Sequence, residues 1–143
     1  MILEEIANLI VTGATGFRLP SSTGSAIPVW LGQIGVDSPA TAVGLYETGG
    51  IGPVRAYKGI DHERPNIQVL VRSTSWVTAR NTADRIWRLL EGTYSTSLAK
   101  SPGSTSTTRY LSITPLQSPF DSGVDREGRH LVSANFNVWK ELS

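Results

Sequence analysis

Apolar residues recur along this chain with two different periods, and the switches between them mark its elements. Ile2, Leu3, Ile6, Leu9 and Ile10 return at helical spacing, which predicts a helix over residues 2–12 stopped by Gly13. From 66 to 74 the period falls to two. Ile67, Val69 and Val71 share one face, Gln68, Leu70 and Arg72 the other, and Pro65 precedes them, as at the start of a strand. A second helix is predicted over 76–91, with Ser75 as its cap and Gly92 at its end. Along it Trp76, Ala79, Ala83, Ile86, Trp87 and Leu90 fall on an arc of roughly 100°, the width of a stripe laid on a sheet. Arg80, Asp84, Arg88 and Glu91 line the opposite side as a solvated ladder. Tyr110–Thr114 alternates as a strand. The last apolar run alternates too, with Val132, Ala134, Phe136 and Val138 on one face and Ser133, Asn135 and Asn137 on the other.

Weaker patterns fill the remainder. Val29–Leu31 and Val43–Tyr46 read as strands on either side of a loop near Asp37–Pro39, and Val54–Tyr57 as a short strand after a turn at Thr48–Pro53. Gly92–Thr108 is dominated by Ser, Thr and Gly and reads as one long loop; Asp125–Arg129 reads as a polar turn. The order helix, strands, helix, strands predicts an α+β domain over 1–143: a single antiparallel or mixed β-sheet with an N-terminal helix and one central amphipathic helix packed on it. One layer of helices covers one face. The other, carrying Ser133, Asn135, Asn137 and Arg72, is left for water or a partner. Trp139 falls on that polar side, where it is either a rim residue or an anchor at a protein contact, and Trp30 is open in the same way.

Composition narrows the classes. A chain of 143 residues suffices for one core, hiding roughly 70% of its unfolded surface. It has no cysteine, which removes disulfides and thiolate chemistry together. Thirteen Lys and Arg against twelve Asp and Glu, interspersed, lack the concentrated basic face that phosphate-backbone binding needs. Acids at Glu4 and Glu5 do not suit a secretory signal, and Pro20 and Pro28 break the longest uncharged stretch, so a soluble protein without a spanning helix is expected.

Candidate chemistry does not assemble. Leu9–Phe17 looks like the nucleotide-binding opening of short-chain dehydrogenases, but Leu19 replaces the third glycine and Pro20 precludes the helix that would hold a pyrophosphate. His62 and His130 lack metal-ligand spacing and read as surface residues in turns. There is no Gly-x-Ser-x-Gly elbow. The acid pairs Glu4–Glu5 and Asp125–Glu127 are accounted for by helix-start electrostatics and turn formation. No catalytic residue, metal or cofactor is predicted.

Tyr46–Gly50, Ile67–Arg72, Leu89–Gly92 and Asp125–Arg129 followed by Asn135–Val138 resemble, in order and spacing, the small minor capsid and tail terminator proteins of long-tailed bacteriophages. The resemblance implies a virion protein, made in the host cytoplasm, at the head-tail junction. Copies there form a ring, usually of six, that caps the tail tube and meets the head connector. The implied partners are its own copies, the tail tube protein and a head-completion or connector protein. No membrane and no specific nucleic acid is among them, although DNA can pass through the ring. On this reading the sheet edges and the loops at Thr48–Pro53, Gly92–Thr108 and Pro119–Arg129 make the contacts, with Arg72, Arg109, Arg126, Arg129 and Trp139 as candidate interface residues. The alternatives are another neck or head-completion protein, a nucleotide-binding oxidoreductase, and a nucleic-acid-binding module.

Overall fold

A computed structural model describes residues 1–56 and 59–141, the side chains of 51–61 excepted. In chain order its elements are α1 (Ile2–Gly13), β1 (Phe17–Arg18), β2 (Ile27–Leu31), β3 (Ala42–Ala56), β4 (Gly59–Ser73), α2 (Trp76–Glu91), β5 (Tyr94–Ala99), β6 (Thr107–Pro115), β7 (Phe120–Val124) and β8 (His130–Glu141). They form one mixed sheet in the order β1-β2-β3-β4-β8-β6-β5, with β7 also paired to β8. β1, β2 and β3 run parallel, and the other pairs are antiparallel. The α+β expectation holds.

The period-two residues make the core. Val43, Leu45, Ile67, Val69, Val71, Val132, Ala134, Phe136 and Val138 turn to one face of the three central strands and are buried there under the helices. Ser75 caps α2 by accepting from the Thr78 N–H at 3.3 Å, and Ala79, Thr82, Ala83, Ile86 and Leu90 form its buried stripe. α1 lies against both β2 and β5, which stand toward opposite ends of the strand order, so the sheet curls around this helix.

Several local expectations are corrected. Thr48–Pro53 is not a turn: it lies inside β3, whose register with β4 shifts between Glu47 and Gly49 and again between Ile51 and Val54. Gly49 and Gly50 take φ of +97° and +131°, so these glycines shape bulges in a long strand instead of reversing the chain. Val54–Ala56 ends that strand, and Tyr57 lies outside the described residues. The Gly92–Thr108 segment holds β5, and only 100–106 connects it to β6. β7, exposed along its length, is a strand inside the segment Pro119–Arg129 expected to be a loop. Trp76 leaves the core stripe and is exposed, because the first turn of α2 carries it past the packed face; buried Thr82 belongs to the stripe instead. Arg80 is not merely solvated, since it donates to the Pro119 carbonyl and pairs with Asp84 at 3.4 Å. Both histidines sit in strands, half-buried, and not in turns.

Candidate interaction face

Both helices pack on the inner face of the sheet, which leaves the outer face of β4 and β8 to the polar half of each alternation. Its two ends are built differently.

At one end β8 begins beside Arg72, which pairs in register with Leu131. Arg72 is only 8% exposed. Its Nε donates to the Ala40 carbonyl at 3.2 Å and its Nη2 to the Pro39 carbonyl at 2.9 Å, so it fastens the β2–β3 connection to the sheet. Burial, then repulsion from Arg129, lowers its pKa, while Asp125, Glu127 and Tyr46 oppose the shift. The predicted turn stands next to it. Asp125 accepts from the backbone N–H of Glu127 at 3.0 Å and of Arg129 at 2.9 Å, and its second oxygen takes the Arg129 Nε at 2.8 Å. Desolvation pushes the Asp125 carboxyl up, but these bonds outweigh it and hold the group below the usual carboxylate range. Arg129 also bonds Glu127, whose side chain is 68% exposed, and Arg126 is exposed at the tip. Arg72, Arg126 and Arg129 are thus brought together.

The other end holds Trp139. The β4–β8 register pairs Glu63 with Lys140 and Asn66 with Asn137, and this sets Arg64 across from Trp139. The Arg64 guanidinium stacks 5.1 Å from the indole centroid, and the His62 ring meets the indole edge-on at 6.0 Å. Asn137 ties the group together. Its Nδ2 donates to Asn66 Oδ1 at 2.8 Å, and its Oδ1 accepts from Arg64 Nη2 at 3.3 Å. Arg64 Nε is buried and has no hydrogen-bond partner among the described residues. Beside it opens a cavity of ≈ 530 Å³ lined by Gly50, Arg64, Asn66, Thr114, Leu116 and Asn137. Arg109, on neighbouring β6, is exposed and donates to Ser95 Oγ at 3.1 Å.

A buried polar chain lies beneath this second end. Lys140 is 1% exposed and pairs with Glu63 at 2.7 Å, with its ammonium 5.9 Å from the Tyr110 ring centroid. The Tyr110 hydroxyl donates to Glu5 at 3.1 Å, and Glu5 is fully buried. Helix-start electrostatics therefore does not account for Glu5, which is a core partner of β6. Burial, reinforced by the Glu5 charge, pushes the Tyr110 phenol far above its ordinary range.

Trp30 and Trp139 separate clearly. The Trp30 N–H donates to Ser38 at 3.1 Å, and its ring lies over Gly35, where an added Cβ would approach within 2.6 Å. Trp30 is a structural residue; Trp139 remains 37% exposed. Residue periodicity put Asn137 on the polar face but did not single out Arg64, because their grouping follows from register between strands some seventy positions apart. Among the described residues no group of three His, Asp or Glu could hold a metal, and no described helix is long and apolar enough to cross a membrane. In the look-alike segment, Leu9–Gly13 is helix where a dinucleotide site needs a strand.

Comparison with known proteins places this face in context. A sequence profile described as "Bacteriophage tail terminator protein" matches residues 17–141, from β1 to the end of β8. The chain belongs to that family. It is a structural protein of phage virions, and the matched region contains the whole sheet and α2, with α1 preceding it. A chain from the solved structure titled "Virion of native gene transfer agent (GTA) particle" shares the fold, with a TM-score of 0.58 and 14% identity over 94% of this chain and 84% of that one. No curated protein matches.

Proposed function

We propose that this tail terminator acts at the head-tail junction, where copies close into a ring, six in the simplest case, that caps the tail tube and meets the head connector. The observation that carries this is the family match across the entire sheet. The outer face supports it, because a closed ring of identical copies needs two unlike patches per subunit and a rotation that divides the circle. The two ends of that face are two unlike patches. The function is mechanical, performed by surfaces and not by turnover of a substrate, and the protein needs no cofactor. Trp139, Arg109, Arg126 and Arg129 make the contacts, and Arg72 contributes by fixing the Pro39–Ala40 backbone beneath them.

The test pairs solution mass at rising concentration with negative-stain images, alone and with polymerising tail tube protein. Discrete rings, and tubes that stop growing at ends bearing them, are the expected result. Tubes that lengthen unchecked without rings would sink the proposal. Binding to connector with no effect on tubes would point instead to another neck component.

A further inference from the structure

We infer that the Arg64–Trp139 end of the outer face is a receptor for the Glu127 carboxylate of a second copy of this chain. The inference rests on the ring reading above and names its contact. Its starting point is the guanidinium. One edge of an arginine, Nε together with Nη2, matches the two oxygens of a carboxylate. In Arg64 that edge is not filled by the described residues: among them Nη2 makes a long 3.3 Å bond to Asn137, and the buried Nε has no acceptor. The indole of Trp139 lies against the group on one side and restricts its freedom before anything binds. The adjoining ≈ 530 Å³ cavity, lined by Asn66, Thr114, Leu116 and Asn137, is open beside it and large enough for a side chain.

Glu127 can meet Arg64 only from another copy. Glu127 stands on the turn before β8, 68% exposed, with one oxygen taken by Arg129. Leu131 and Trp139 bracket the strand between the two ends, and eight residues at about 3.4 Å each separate them by roughly 27 Å. A side chain cannot span that distance within one subunit. Donor and receptor at opposite ends of one strand make a head-to-tail contact, which propagates from copy to copy until rotation closes it.

The experiment uses charge reversal in the full chain, read as ring formation by mass and imaging in the presence of tail tubes. Arg64→Glu and Glu127→Arg each weaken association by at least about tenfold, because like charges then meet across every contact. An equal mixture of the two variants recovers, since alternate placement restores an opposite pair at each junction, and the double variant recovers for the same reason. A merely structural role predicts no recovery on mixing. Rings that form as well as wild type in both single variants, or a mixture that stays dissociated while each variant melts like wild type, overturn the proposal. If reversal lowers the melting temperature, Arg64→Lys and Glu127→Gln carry the same comparison: each must weaken association, and wild-type association in both overturns the contact. Failure of the wild-type chain to ring under any condition sinks the ring reading itself, whereas rings indifferent to these changes sink only this contact.

Discussion

Arg72 and Arg64 lie on the same strand and the same face, eight residues apart, yet one is finished and the other is not. Arg72 is buried with two carbonyl acceptors in its own chain. Arg64 is stacked on Trp139 but keeps a buried N–H without a partner among the described residues. An unmet donor costs about 1–3 kcal/mol, so such a group is tolerated where a later partner supplies the acceptor. Arg72 stabilises the subunit and is satisfied inside it, whereas on the contact proposed above Arg64 is satisfied by the next copy.

The sharpest way to break that contrast is to remove each arginine in turn and measure unfolding by denaturant on the unassembled protein. Arg72→Ala should destabilise by about 2–4 kcal/mol, because it strands the Pro39 and Ala40 carbonyls under the loop and empties a buried site. Arg64→Ala should cost under about 1 kcal/mol in the same measurement, since the weak bond and the indole stack it removes are offset by removal of one unsatisfied group. Equal losses at both positions would erase the distinction between the two ends.

Alkaline titration attacks the Arg64 end from below. The Tyr110 phenol lies under it with its folded pKa raised, so above the ordinary phenol value the unfolded chain releases a proton that the folded chain retains. The folded state then binds more protons, and stability falls as pH rises. The loss is full-strength stability below about pH 10 giving way at roughly 1.4 kcal/mol per pH unit above it. Tyr110→Phe should lower the baseline, because Glu5 loses the Tyr110 hydroxyl as donor, but should flatten this slope. Melting curves between pH 9 and about 11.5 in the two proteins check it; parallel slopes would remove Tyr110 from the account.

How much of this was legible beforehand follows from where the information lies. Ile67, Val69, Val71 and the Val132–Val138 alternation announced the central strands because one face is apolar and the other polar. The same rule hides β5, where Leu98 is the sole buried apolar side chain among serines and threonines, and β7, which has no buried side chain to alternate with. Gly49 and Gly50 carry the residue types of a turn, and only the continuing register with β4 shows them to be bulges. Of the five candidate interface residues, Arg126, Arg129 and Arg72 gather at the turn and Trp139 lies at the far end. The residue that completes Trp139, Arg64, had no local mark. Glu5 had no local mark either: its partner is Tyr110, 105 positions away.

Acid should then work on the opposite end from alkali, with the smallest effect. The Asp125 carboxyl is held below its usual range by bonds from Arg129 and the Glu127 N–H, which outweigh the desolvation that pushes it up. With the folded pKa depressed, the unfolded chain takes up a proton first as pH falls. The stabilisation from Asp125 is therefore complete above the ordinary carboxylate pKa and is lost as pH drops through the folded value. What loosens is the 125–129 turn, since protonation weakens the acceptor of two backbone N–H groups and the Arg129 Nε. Amide exchange at Glu127 and Arg129 should rise below about pH 4 while exchange in β4 and β8 stays slow. Asp125→Asn should show the fast exchange already at neutral pH and lose its acid dependence. Because Glu127 is presented by this turn, the same acidification should release rings before it unfolds subunits; if subunits melt first, the turn is not the weaker element and the donor end of the contact must lie elsewhere.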